Sequence, residues 1–156
     1  MGSFATTPAS QFRVLLASTG DEGASKLTTL LHDMHCDVLP AATCRQAIPL
    51  LLAEDIPVLV TDPVLADGDW RTITHEARRL RTPPSIIVVS DSSDWRLWAD
   101  VLSSGGFDLL SKPWTAETAA WTLQSAFRRW QRSREVADAR EHNACGGVDP
   151  LFTSSV

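Results

Sequence analysis

The chain has 156 residues, enough for one ordinary domain with a core of its own, and carries a net charge of −5. Hydrophobic residues make up 44% and charged residues 21%, and no uninterrupted apolar run reaches the roughly 18 residues of a membrane span. The acidic balance argues against a nucleic-acid surface, the three cysteines Cys36, Cys44 and Cys145 are too few for a disulfide framework, and no secretory leader follows Met1, so a cytoplasmic protein with reduced thiols is expected.

Residues 1–11 are small and polar and read as a disordered lead. "FRVLLA", 12–17, is a short apolar strand, and Gly20 and Asp21 make the turn after it. Leu27, Leu30, Leu31 and Met34 then recur at helical spacing. "CDVLPAA", 36–42, is a weak second strand. Thr43 caps a helix through Leu52, which Pro49 is expected to kink or shorten. "IPVLV", 56–60, is a continuous apolar strand of the kind buried on both faces. "VLADGD", 64–69, reads as a loop and 69–80 as a helix. "SIIVV", 85–89, is the clearest strand. "SDSSD" caps a helix over 95–102, which Gly105 and Gly106 end. "FDLL", 107–110, is the fifth strand, and Thr115 opens a long helix to about Arg140. A domain over 12–129, a helical extension over 130–142 and a flexible tail over 143–156 follow from this pattern.

Strand and helix alternate five times, which implies an α/β fold with a parallel sheet covered on both faces. Ligands in such sheets bind beyond the carboxyl ends of the strands. Ser18 and Thr19, Asp62, Ser90 and Lys112 fall there. A carboxylate, a hydroxyl and an ammonium together suit a phosphoryl group.

"VLVTDPVLADGD", "SIIVVSD" and "GGFDLLSKPW" resemble the receiver domain of two-component response regulators over roughly 12–129. The resemblance implies the flavodoxin-like (CheY-like) doubly wound sheet of order 2-1-3-4-5. It places Asp62 as phosphoacceptor, Ser90 at the Thr/Ser switch position, Lys112 at the conserved lysine and a cis Lys112–Pro113 bond. The departures are as specific. The family's two acidic Mg²⁺ ligands align with Ser18 and Thr19, and hydroxyls are poor ligands for a hard cation, so no cofactor is expected and Mg²⁺ binding is weak at best. Asp91, where the family has a small residue, should repel an incoming phosphoryl group. Leu109 stands at the aromatic switch position and Ala66 at the usual proline. Lys112 is expected to pair with Asp62. Asp21 and Glu22 complement the dipole of the first helix or, in the other reading, reach back as replacement metal ligands.

"ASTGDEGA" also resembles the phosphate loop of flavodoxins, with Ser18, Thr19 and Ser25 as hydroxyls and Trp70 and Trp95 able to flank an FMN ring. His32, His35 and Cys36 are a weak metal signal. Trp98, beside Val101 and Leu102, is assigned to the core. Trp95, Leu109, Trp114 and Trp121 mark an interaction face on the fourth helix, fifth strand and fifth helix, extended by Phe127 and Trp130, where a homodimer is expected. Arg128, Arg129, Arg132, Arg134 and Arg140 make the last helix a dimer seam, a linker, or a basic grip for RNA or an acidic partner; no DNA-reading motif follows. The reading reached is a degenerate receiver, not an enzyme. It would act as a signalling protein-interaction module without efficient Mg²⁺-dependent phosphotransfer, a histidine kinase being one candidate partner. The alternatives are a conventional response regulator phosphorylated on Asp62 and an FMN-binding protein.

Overall fold

The computed structural model describes residues 12–91 and 94–146; the lead at 1–11 and the tail beyond 146 lie outside them. β1 (Arg13–Ala17) is buried at every residue but the first. Asp21 caps α1 (Glu22–Asp33), which buries Leu27 and Leu31. The helix ends with His35 at φ 63°, the left-handed conformation that terminates helices, and the Cys36 N–H donates back to the Leu31 carbonyl. β2 (Asp37–Ala41) carries Pro40, tolerated because β2 is an edge strand.

Thr43 caps α2 (Cys44–Ala53) as expected, and Pro49 lies inside the helix without shortening it, since it runs one residue past Leu52. Pro49 and Arg45, the residue four back, are both exposed, so the one hydrogen bond the ring removes falls on the solvent side. β3 (Val58–Thr61) is buried throughout. The expected loop at 64–69 is a small antiparallel hairpin, β4 (Val64–Leu65) with β5 (Gly68–Asp69). Asp69 lies outside the following helix as its N-cap, and α3 (Trp70–Ala77) stops short of Leu80.

β6 (Ser85–Ser90) is also buried throughout. α4 (Trp95–Ser103) ends at Gly105, whose φ of 92° only glycine adopts easily, and Gly106 lets the chain turn tightly under Val101. β7 (Asp108–Ser111) leads through a cis Lys112–Pro113 bond to α5 (Ala116–Gly146). α5 starts where Thr115 accepts the Thr118 N–H and runs past both Arg140 and the boundary expected at 142. Its far half is tied to the body: Arg134 pairs with Asp55, and Arg81 with Asp138 and Glu141.

The five long strands are parallel in the order β2-β1-β3-β6-β7, the expected 2-1-3-4-5 once the hairpin is set aside. One apolar layer joins α1 and α5 to the sheet through Leu27, Leu31, Leu123 and Ala126. The other joins α2, α3 and α4 through Leu51, Trp70, Ile73 and Val101. Among the described residues no helix is long and apolar enough to cross a membrane.

Candidate functional site: the carboxyl edge of the sheet

The site is built by strand endings. Parallel pairing of β1, β3, β6 and β7 brings the residues that follow each strand to one edge, held by short backbone bonds: Ser18 N–H to the Ala41 carbonyl, Asp62 N–H to Ala17 and Lys112 N–H to Ser90, each 2.9 Å. Thr19, Asp21, Asp62, Asp91 and Lys112 line a cavity of about 310 Å³ there. Ser90 is buried at the end of β6, its carbonyl accepting the Lys112 N–H. The residues selected from the sequence therefore do converge.

Their pairing differs from expectation. One oxygen of Asp62 accepts from the Ser18 hydroxyl at 3.0 Å, the Thr19 N–H at 3.1 Å and, more loosely, the Thr19 hydroxyl at 3.5 Å. The turn after β1 thus satisfies this carboxylate with neutral donors. Lys112 does not pair with Asp62. Its ammonium lies 3.0 Å from Asp91 and 3.4 Å from Asp21. The reason is steric as well as electrostatic. Gly23 has no side chain, and a Cβ there would sit 2.6 Å from Lys112 Nζ, so the first turn of α1 is open to the ammonium.

The electrostatics follow from these contacts. The Asp91 hydrogen bond raises the Lys112 pKa above its ordinary value, with the Asp21 charge adding to it against partial burial. The Ala24 N–H, at 2.8 Å, holds the Asp21 carboxyl below its usual range, and Lys112 lowers it further against the cost of burial. Asp21 is thus an N-cap, one of its two expected roles. Asp91, expected only to repel an anion, neutralises the cation that would attract one.

These residues do not fit the divalent metal that the receiver resemblance implies. Ser18 spends its hydroxyl on Asp62, and Asp21 is committed to Ala24 and Lys112. Among the described residues no group of three or more His, Cys, Asp or Glu side chains is placed to hold an ion, and this includes His32, His35 and Cys36. Cys36 is buried, which pushes its thiol up to about 11.

The flavodoxin-like reading meets two obstacles. The Ser18 hydroxyl and Thr19 N–H that would cradle a phosphate already serve Asp62. Trp70, expected to flank a ring, is only 1% exposed and packs in the core.

The aromatic face is rearranged as well. Trp98 is 46% exposed rather than buried, because α4 lies over the sheet edge and buries Val101 alone. Trp95, Trp98 and Leu102 form an exposed stripe at i, i+3 and i+7. Trp121 is exposed on α5, while Leu109 and Trp114 are half-buried against the core. Phe127 and Trp130 do not extend an outer face: Phe127 stacks on Phe12 at 4.4 Å, and Trp130 is buried.

Sequence reasoning missed Asp67. Its two oxygens accept the Cys44 and Arg45 N–H groups at 2.7 and 3.0 Å, which stakes the loop after Asp62 to the start of α2. The orphan amides of a helix N-terminus were the available signal, but Thr43 already accepts the Gln46 N–H there, and Gln46 reaches back to the Ala42 N–H.

No protein-family model matches the sequence, and no curated protein matches it. Solved structures do. A signal receiver domain from Vibrio parahaemolyticus superposes with a TM-score of 0.72 at 21% identity, over 80% of this chain and 96% of that one. The signal receiver domain of an HD domain-containing protein from Pseudomonas fluorescens gives 0.71 at 22%, over 79% and 91%. The beryllofluoride-activated NtrC4 receiver domain dimer gives 0.69 at 24%, over 76% and 98%. At these identities what is shared is the fold, and the chain has the fold of a receiver domain.

Proposed function

We propose that this receiver fold serves as a cytoplasmic signalling module that works through protein contacts rather than through efficient Mg²⁺-dependent phosphotransfer. The observation that carries the reading is the engagement of Lys112 by Asp91 and Asp21, with Asp62 turned to the Ser18 and Thr19 donors. A phosphoryl group arriving at Asp62 would meet two further carboxylates and an already neutralised ammonium. Its developing charge would lack a metal to offset it.

The contacts made instead are proposed to run through the α4–β7–α5 side. Its exposed tryptophans suit a homodimer that forms without phosphorylation, and a histidine kinase remains a candidate partner. The presence of Asp62, Ser90 and Lys112 on one edge favours a second reading, that of a conventional phosphoacceptor.

One experiment separates the two. The protein is incubated with a small phosphodonor and millimolar Mg²⁺, and its intact mass is followed. The proposal expects no phosphoryl adduct. An adduct formed in high yield and lost in Asp62→Asn establishes the conventional reading in its place.

A further inference from the structure

At the opposite pole of the sheet the charges are arranged differently. The chain has 14 lysines and arginines, and Arg13, Arg71, Arg79, Arg81, Lys112 and Arg134 each pair with a carboxylate. The other eight, Lys26, Arg45, Arg78, Arg96, Arg128, Arg129, Arg132 and Arg140, have no carboxylate partner among the described residues, and the last four lie on α5. From 3.6 residues per turn they fall within about 120° of the helix circumference and along about 18 Å of its length. Of the acids on this segment, Asp138 and Glu141 hold Arg81, and the exposed Glu135 lies beside Arg128 and Arg132, so the face stays net positive at four arginines to one glutamate.

Beside this face runs a small groove of about 180 Å³. Arg78, Pro83, Pro84, Ser104, Arg129 and Ser133 are among its walls, and no aspartate or glutamate lines it. Its shape is well supported. Arg78 donates to the Ser104 carbonyl, Arg129 lies over the Phe107 ring at 5.6 Å, and two consecutive prolines stiffen one wall. In a chain with 19 acids, a groove with two arginines and no carboxylate is a local reversal of charge.

We propose that this groove and the adjoining outer face of α5 dock an acidic protein segment. One carboxylate side chain enters between Arg78 and Arg129, and further acids lie along Arg132, Arg128 and Arg140. Guanidinium groups suit this partner because they accept carboxylates in a two-pronged geometry. A short acidic segment is favoured over RNA, because a long polyanion would also meet the repulsion of the chain's overall negative charge. A second copy using the same face would set arginine against arginine. The surface lies away from Asp62, so it stands or falls independently of the phosphotransfer reading.

The test is fluorescence anisotropy with labelled octaglutamate, with octalysine and a single-stranded RNA octamer as comparators, at low and high salt. Octaglutamate should bind, and binding should weaken with salt. Arg129→Glu/Arg132→Glu should weaken it by about tenfold or more, while Arg45→Glu, an exposed arginine on α2, should not. If the double variant is poorly folded, Arg132→Glu alone keeps the comparison, since Arg132 is exposed. Absence of octaglutamate binding, equal weakening by Arg45→Glu, or tighter binding of RNA overturns the proposal.

Discussion

Replacing Trp95 and Trp98 together by alanine should abolish self-association and leave the fold intact. Trp95 is 72% exposed and Trp98 46%. A fully buried tryptophan covers ~150–250 Å², so the pair leaves roughly 180–300 Å² uncovered per protomer. A two-fold contact counts that area twice, and at ~25 cal/mol per Å² the gross gain is on the order of 9–15 kcal/mol. Association itself costs about 4–15 kcal/mol, and a micromolar dimer needs a net ~8 kcal/mol, which the stripe supplies where the association cost lies near the low end of that range. The double variant removes four tryptophans per dimer; with only one per protomer acting as a hot spot of ~2 kcal/mol, the dimer already weakens by ~4 kcal/mol, about a thousandfold. Sedimentation equilibrium of unphosphorylated protein reads this directly: dimer for the wild type at tens of micromolar, monomer for the double variant. Because both side chains are exposed, the thermal midpoint should hardly move. A wild type that stays monomeric over that range, or a double variant that dimerises as tightly, refutes the use of this stripe.

Three further outcomes are expected. Adding Mg²⁺ to ~10 mM should leave the melting temperature unchanged, whereas a site with Kd near 1 mM would add about 1.4 kcal/mol; a rise lost in Asp62→Ala would show a surviving metal site. Gly106→Ala should destabilise by ~1–3 kcal/mol in urea unfolding, because its Cβ would lie 2.5 Å from Val101 Cγ1 and 2.8 Å from the Val101 carbonyl; unchanged stability would mean that α4 shifts freely. Asp21 titrates below its ordinary 3.8 in the folded chain, so its stabilising contribution is full above that pH and is lost as pH falls through the lowered value. Asp21→Asn should therefore flatten the acid limb of a stability–pH profile, and an unaltered limb would show that the cap and the Lys112 pair contribute nothing there.

Much of the architecture was legible because each strand is a short apolar run and each helix opens on a recognisable cap, as Thr43 and Asp94 show. The meeting of Asp62, Ser90 and Lys112 was legible for the same reason, since parallel order alone carries the residues after β3, β6 and β7 to one edge. Their partners were not. The reach of Lys112 to α1 depends on a missing Cβ at Gly23, 89 positions earlier in the chain, and no local pattern encodes that. Trp98 shows where periodicity misleads. Its spacing from Val101 and Leu102 marks an apolar face, but the helix packs through Val101 with Leu97 beside it, so Trp98 and Leu102 point outward. Pro49 shows the converse, a residue of poor helix propensity placed where its missing donor falls toward solvent.

The two poles of the sheet use charge in opposite ways. At the carboxyl edge each charged group is answered from within: Asp62 by the Ser18–Thr19 turn, Lys112 by Asp91 and Asp21. A site closed in this manner has little electrostatic free energy left to give an incoming anion, because the donors that would stabilise it are already engaged. At the other pole Asp138 and Glu141 turn to Arg81, and Arg128, Arg129, Arg132 and Arg140 outnumber the one acid on their face, Glu135, leaving net positive charge for an external partner. If the chain signals, the physical expectation is that the message enters or leaves through surfaces. Neutralising Arg132 or removing Trp95 and Trp98 should then disturb its associations more than any substitution of Asp62.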